Sequence, residues 1–305
     1  MIEGPRIRFI SKNKARNVDF NFDFIKSYKF QDGLKPVGSG FIFGCSCNGC
    51  TDECESCLPC DRDTGHPIMP YQEATDRLGR PGRMVLRPDF IERKGVKIRE
   101  CSPRCDCYPT CGSHVVYAGR QIELEVFETP NRGFGIRCTK PILKGQFIDT
   151  YVGELIKEST SDKREDAFDA DKHASYLFSL DLYKDDGHGP KNEKFYVVDG
   201  RKFGSITRFM NHSCNPNCKM FPAAQSDSRQ IYEIAFFAIR DIPAGTELTF
   251  DYLGGKKREL GLRKADPSAT KCLCGERKCR GLLWTTNRKT KVKDAESSSD
   301  ESDEE

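Results

Sequence analysis

The sequence predicts a mainly β protein of small sheets, with a metal-binding cysteine module on either side of the strand-rich region. Three observations carry this. Apolar and polar residues alternate in short runs such as Ile122-Glu123-Leu124-Glu125-Val126-Phe127, the period of a strand with one buried face. Only Ser161–Ala170 and Gly204–Met210 read as helical, and both are short. Ten of the sixteen cysteines fall between Cys45 and Cys111, and three more follow the last strand signal, at Cys272, Cys274 and Cys279.

Residues 1–40 mix basic side chains with Phe and Ile. Phe20-Asn21-Phe22-Asp23-Phe24 alternates like a strand, so this segment reads as an N-terminal arm that wraps the body. Residues 41–115 form the first cysteine module. A loop from about Asp61 to Pro88 interrupts it, where Pro67, Pro70, Pro81 and Pro88 argue against regular structure. The central domain spans 116–253. Phe147–Val152 and Tyr196–Asp199 continue the strand pattern, and Ile231–Ile239 reads as a long buried strand. Pro141–Gly145 and Ile242–Thr246 are turn signals. A basic linker over 254–270 leads to a second metal module at 271–287. The acidic stretch 288–305 has too little apolar surface to pack and reads as a disordered tail.

Composition narrows the function classes. A chain of 305 residues holds one large domain or two modest ones. Charged residues make up 31%. The longest purely apolar run, Ile234–Ile239, falls far short of the ~18 residues of a membrane span. With no apolar signal core at the N-terminus, a soluble protein of a reducing compartment is expected. The net charge is +3, but Asp294–Glu305 carries seven acids and no Lys or Arg. Without those acids the net charge would be +10. A basic body with an acidic tail suits a nuclear, chromatin-associated protein. The basic residues are scattered, with no helix or aromatic platform of a nucleic-acid reader, so direct DNA binding is not expected. The expected assembly state is a monomer.

In a reducing compartment dense cysteines point to metal rather than disulfides. Cys45, Cys47, Cys50, Cys54, Cys57 and Cys60 pack into one short stretch. Cys101, Cys105, Cys107 and Cys111 form another. CxC and CxxC spacings bring two thiolates to one tetrahedral Zn²⁺ at about 2.3 Å. A cluster of three zincs with shared bridging thiolates needs about nine ligands. Ten are present, so if the cluster is trinuclear one of Cys50, Cys54, Cys57 or Cys60 is surplus, and spacing alone does not say which. Full coordination makes the role structural. Cys138 and Cys218 read as buried structural thiols.

Two further stretches carry chemistry: Arg208-Phe209-Met210-Asn211-His212-Ser213-Cys214 and Glu247-Leu248-Thr249-Phe250-Asp251-Tyr252. With Arg132-Gly133-Phe134-Gly135, Tyr151-Val152-Gly153-Glu154 and the cysteine modules in this order, the chain resembles the fungal and animal histone H3 lysine-9 methyltransferases of the suppressor-of-variegation class. The fungal defective-in-methylation type looks closest, because no chromodomain-like segment precedes the cysteines. The resemblance covers roughly 41–285. It implies the SET fold, small curved β-sheets around a pseudoknot in which the segment near Tyr252 crosses the chain near Asn211. Pre-SET and post-SET zinc modules flank it. The implied cofactors are S-adenosylmethionine and zinc, three ions in the pre-SET cluster and one held by Cys214, Cys272, Cys274 and Cys279. Departures are the extra cysteine, Gly112-Ser113-His114-Val115 after the last pre-SET cysteine, and Phe134 where the family commonly has Trp.

The resemblance also implies site roles. Tyr252 and Tyr176 would orient the substrate amine. Arg208 would brace the site, and Phe250 would set the product state, an aromatic without a hydroxyl admitting di- and trimethylation. Arg132, Gly133, Phe134, Gly135, Arg208, Asn211, His212 and Trp284 would hold the cofactor. Glu154 would buttress its strand. The chemistry is consistent with such a site: a free lysine has a pKa of ~10.4, and an apolar aromatic channel lowers it by desolvation. The implied substrate is the histone H3 tail, added as a strand at a sheet edge. Asp181, Asp185 and Asp186 would meet its arginines. Ser297–Ser299 reads as a phosphorylation candidate, and chromatin-targeting partners are expected. Alternatives are another histone or non-histone lysine, or a zinc-stapled chromatin-binding module without catalysis.

Overall fold

A computed structural model describes residues 4–11, 21–50, 68–75, 81–93, 95–169, 176–181, 195–254 and 270–284. Its strands are short and gather in small sheets, as the alternating pattern predicts. A four-stranded sheet orders Ile98–Arg99, Cys218–Ala224, Glu233–Ala238 and Phe147–Tyr151. Glu233–Ala238 is central there and lies within the segment expected to be a buried strand. Phe236 and Phe237 point to opposite faces, yet both are 0% exposed. Each such side chain contributes ~1.5–3 kcal/mol of burial. A second four-stranded sheet orders Leu177–Ser179, Tyr196–Asp199, Glu154–Lys157 and Lys29–Phe30.

The arm wraps the body by strand addition. Ile7–Ile10 joins Leu124–Glu128, Lys29–Phe30 joins Glu154–Lys157, and Asp23–Phe24 joins Phe203–Gly204, all in parallel. Ile142 and Ile242, in the two expected turns, exchange backbone hydrogen bonds of 2.9 and 2.8 Å.

The proline-rich loop expected over 61–88 is regular where it is described. Tyr71–Thr75 and Pro81–Leu86 form an antiparallel hairpin, and Pro88–Glu92 is a short helix. Each described proline stands where its missing N–H costs little. Pro81 begins a strand, Pro70 precedes one, and Pro88 opens the helix. Phe90 from this helix is fully buried beside Leu86. The expected helix at Ser161–Ala170 is Glu158–Asp169. The one at Gly204–Met210 is a 3₁₀ turn, Ile206–Phe209, started by Ser205, whose hydroxyl accepts from Thr207 N. Among the described residues no helix is long and apolar enough to cross a membrane.

Asn211–His212 pairs in parallel with Thr249–Phe250. Ser213 N donates to Phe250 O at 3.0 Å, and Thr249 N donates to Asn217 Oδ1 at 2.9 Å. This crossing brings the two motif stretches side by side and forms the knot on which the site is built.

Candidate active site and metal centres

The loop after Leu124–Glu128 is a tight turn. Thr129 donates from both its N–H and its hydroxyl to Gly133 O, at 2.8 and 2.9 Å. Gly133 has φ +67° with open space where a side chain would stand. Gly135 is the opposite case: a Cβ there would lie 2.7 Å from Glu247 Oε1 and 3.1 Å from Asn211 Nδ2. The loop therefore rests directly on the knot. Arg132 Nη2 donates to Glu247 Oε2 at 2.7 Å. Asn211 Nδ2 donates to Glu247 Oε1 at 2.9 Å and to Phe134 O at 3.1 Å. Glu247 thus ties the loop to the Asn-His strand. Arg132 Nε is buried without a hydrogen-bond partner among the described residues. A cationic donor, an amide and an open glycine notch suit a cofactor with an amino-acid carboxylate.

An aromatic group adjoins this loop. The Phe250 ring lies 4.7 Å from Tyr252, 4.8 Å from Phe236 and 5.7 Å from Phe178. Phe178 lies 4.6 Å from Tyr151. The Tyr252 hydroxyl donates to Met210 O at 2.8 Å, and the Tyr151 hydroxyl to Tyr176 O at 2.6 Å. Burial pushes the Tyr252 hydroxyl well above the ordinary tyrosine pKa, Tyr176 adds to the shift and Arg132 opposes it. Tyr252 is therefore a hydrogen-bond donor at neutral pH and no base. Arg208 donates to Gly200 O at 3.0 Å and lies 4.4 Å over the Tyr176 ring and 4.0 Å over Phe22 of the arm. Its geometry is that of a brace.

His212 sits under the knot. Tyr252 N donates to its Nδ1 at 3.2 Å. Burial lowers its pKa, while Asp251 works the other way. Burial disfavours the Asp251 carboxylate too, but Arg280, at 2.6 and 3.1 Å, outweighs it and holds that carboxyl below its usual range. Arg280 follows Cys279, so it fastens the C-terminal cysteines to the knot.

Every described cysteine is a free thiol. Cys214, Cys272, Cys274 and Cys279 place their sulfurs within 4.8 Å of one another, and so do Cys50, Cys101, Cys107 and Cys111. Thiolates around a tetrahedral zinc at about 2.3 Å stand about 3.8 Å apart. The Cys214–Cys272 and Cys45–Cys107 separations are both 3.9 Å. Cys50 and Cys101 are closer, at 3.0 Å. Cys45, Cys101, Cys105, Cys107 and Cys111 form one buried group, with Cys47 and Cys50 packed against it. The donors fit structural zinc in both modules. Cys54, Cys57 and Cys60 lie outside the described residues.

The sequence pattern of the SET domain matches residues 133–253, and that of the Pre-SET motif residues 2–114. A Fusarium mangiferae histone-lysine N-methyltransferase, H3 lysine-9 specific, is 36% identical over 87% of this chain and 84% of its own. The chain belongs to the SET-domain histone-lysine N-methyltransferases. The Neurospora crassa H3 lysine-9 specific enzyme dim-5 is also 36% identical, over 91% of this chain and 88% of its own. A solved structure of the Neurospora SET-domain protein DIM-5, a histone lysine methyltransferase, superposes with a TM-score of 0.68. It is 30% identical and covers 89% of this chain and 100% of its own.

Within this SET-domain chain, the expected residues Arg132, Phe134, Gly135, Asn211, His212, Phe250 and Tyr252 come together at the knot, with Arg208 and Tyr176 stacked beside it. Trp284 ends the strand Leu282–Trp284, opposite Thr270. Asp181 is exposed, while Asp185, Asp186 and Ser297–Ser299 lie outside the described residues. Glu154 is a buttress: Arg164 and Gln31 donate to it at 2.7 and 3.0 Å. Cys138 and Cys218 are buried, and burial pushes both thiols up, so neither is reactive. Sequence reasoning gave no role to Glu247, Tyr151, Phe178, Asp251 or Arg280. Phe178 had a signal, since it stands two residues from Tyr176 on one strand face. Arg280 had none.

Proposed function

We propose that this enzyme transfers methyl groups to lysine 9 of histone H3 and carries the lysine to the di- and trimethyl state. The observation that carries the site assignment is the juxtaposition at the knot. Tyr252, its hydroxyl on Met210 O, stands in an aromatic group beside the Arg132–Glu247–Asn211 cluster. S-adenosylmethionine, when bound, supplies the methyl group on a sulfonium. Arg132, Gly133, Phe134, Gly135, Asn211 and His212 would hold it, with Trp284 closing over it.

The chain's own residues do the rest. Phe178, Phe250, Tyr151 and Tyr252 exclude water from the lysine side chain and favour its neutral amine, the form that attacks. The Tyr252 hydroxyl and the Met210 carbonyl give that amine a fixed polar wall, and Arg208 holds Tyr176 opposite. Phe250 leaves room for an amine that already carries methyl groups. The substrate preference is supported by relatives named as H3 lysine-9 specific, and a nuclear role at chromatin follows from it. Mass spectrometry of a histone H3 tail peptide after prolonged turnover tests the reading. Di- and trimethyl products are expected, and a monomethyl product alone would contradict it.

A further inference from the structure

Away from the knot, the arm closes over the body and leaves a cavity of about 200 Å³. That is below the ~300–1,000 Å³ of a drug-sized ligand or cofactor site and suits one side chain. Its walls are aromatic and aliphatic. Tyr28 and Phe30 come from the arm, and Tyr117 and Tyr232 from the body. Tyr28 is fixed, its hydroxyl donating to Tyr232 O at 2.8 Å. Tyr117 stands at the rim, 38% exposed. None of these residues takes part in the methyl-transfer site.

The cavity holds one acid, Glu233. No hydrogen bond or ion pair reaches its carboxylate among the described residues. Lys97, beside the cavity-lining Ser226, directs its ammonium to the Ser226 and Ser228 carbonyls at 3.2 and 2.9 Å. Burial raises the Glu233 pKa to about 7, and the neighbouring Tyr28 and Tyr117 hydroxyls remain protonated. Glu233 is half-buried, and a carboxylate partly shielded from water without a partner is costly. A cation that enters the cavity removes that cost, and aromatic faces attract it further. A strongly hydrated primary ammonium gives up more water than an alkylated one.

The geometry points to a second ligand site in which Tyr28, Phe30, Tyr117 and Tyr232 enclose the alkylated ammonium of a methyl-lysine side chain and Glu233 balances its charge. This site is independent of which lysine the enzyme methylates. Its ligand is the chemical form that a lysine methyltransferase produces, so an already methylated tail would dock beside the catalytic domain.

The test titrates the full zinc-loaded chain with a capped Gly–trimethyllysine–Gly peptide, read by ligand-observed NMR. The control peptide carries a neutral tert-butyl group in place of the trimethylammonium. The charged peptide should bind about tenfold more tightly than the neutral one. Glu233→Gln should erase that preference, and Tyr117→Ala should weaken binding about tenfold. Tyr252→Phe, at the catalytic site, should leave binding unchanged. Equal affinity for the neutral peptide, a charge preference that survives Glu233→Gln, binding undiminished in Tyr117→Ala, or binding lost only in Tyr252→Phe would each overturn the assignment. Tyr117 is at the rim, so its variant tests the site even if Glu233→Gln fails to fold.

Discussion

Replacing Tyr252 with phenylalanine removes one hydroxyl and keeps the ring among Phe250 and His212. The substitution removes the 2.8 Å hydrogen bond to Met210 O. Such a bond contributes ~0.5–1.5 kcal/mol net, and an orphaned buried carbonyl raises the cost to ~1–3 kcal/mol. In a chain of this size that lowers the melting temperature by about 2–8 °C. The effect on rate should be far larger. A positioned donor at the reacting centre is worth ~10²–10³ in kcat. Tyr252→Phe should therefore lose about 10²–10³ in single-turnover methyl transfer while remaining folded and keeping its cofactor affinity within about threefold. Because burial keeps the hydroxyl protonated, the pH–rate profile of the residual activity should keep its shape. The readouts are rapid-quench transfer of labelled methyl groups and thermal melting of the same preparation. A variant whose rate stays within about threefold of wild type would refute the assignment. So would one whose rate loss is explained by unfolding at the assay temperature.

Phe250→Tyr adds a hydroxyl to a ring that is 4% exposed and enclosed by Phe178, Phe236 and Tyr252. Overpacking of ~1–3 kcal/mol against a methylated amine should slow the second and third transfers roughly 5- to 150-fold. Mass spectrometry would show product stalled at monomethyl-lysine. Arg280→Ala removes the guanidinium that holds the Asp251 carboxylate and should cost ~1–3 kcal/mol in denaturant unfolding. It should also speed zinc loss from the C-terminal site, and an unchanged loss rate would remove its proposed fastening role. Emission spectroscopy should find about four zincs per chain, and chelation should abolish transfer until zinc is restored. Glu233 has its pKa raised from 4.5 to about 7 by burial, so the folded state favours the protonated acid. The cost of ionising it is absent below about pH 4.5 and complete above about pH 7. Glu233→Gln should therefore raise the melting temperature at pH 8 more than at pH 5.5, and equal gains at both would contradict the buried acid.

What was legible in the sequence was what period and spacing encode. The alternation at Ile122–Phe127, the run at Ile231–Ile239 and the cysteine spacings each report local geometry, and each reappears as a strand or a thiol cluster. In the proline-rich segment the position of each proline, and not the number of prolines, decides whether regular structure forms. Pro81 and Pro88 stand at element starts, where they are tolerated. The expected helix at Gly204–Met210 is tightened because capping by Ser205 closes a 3₁₀ turn instead of a longer helix, and the one expected at Ser161–Ala170 starts earlier, at Glu158.

The site was legible wherever its residues lie within one motif. Asn211, His212, Phe250 and Tyr252 sit in two short stretches, although only the knot shows how they meet. Glu247 and Arg280 act across 115 and 29 residues of sequence, on Arg132 and Asp251. Glu247 lies within a motif stretch, but no local pattern shows which distant residue either of them holds. The cavity under the arm was equally hidden, because Tyr28 and Tyr232 come from segments 204 residues apart.

The most direct measurement is methyl transfer from labelled S-adenosylmethionine to recombinant histone H3, comparing the wild-type tail with one in which lysine 9 is alanine. Robust labelling of the first and none of the second is expected. Labelling that persists without lysine 9 would contradict the proposed target, and no labelling of either by folded, zinc-loaded protein would contradict the proposed catalysis.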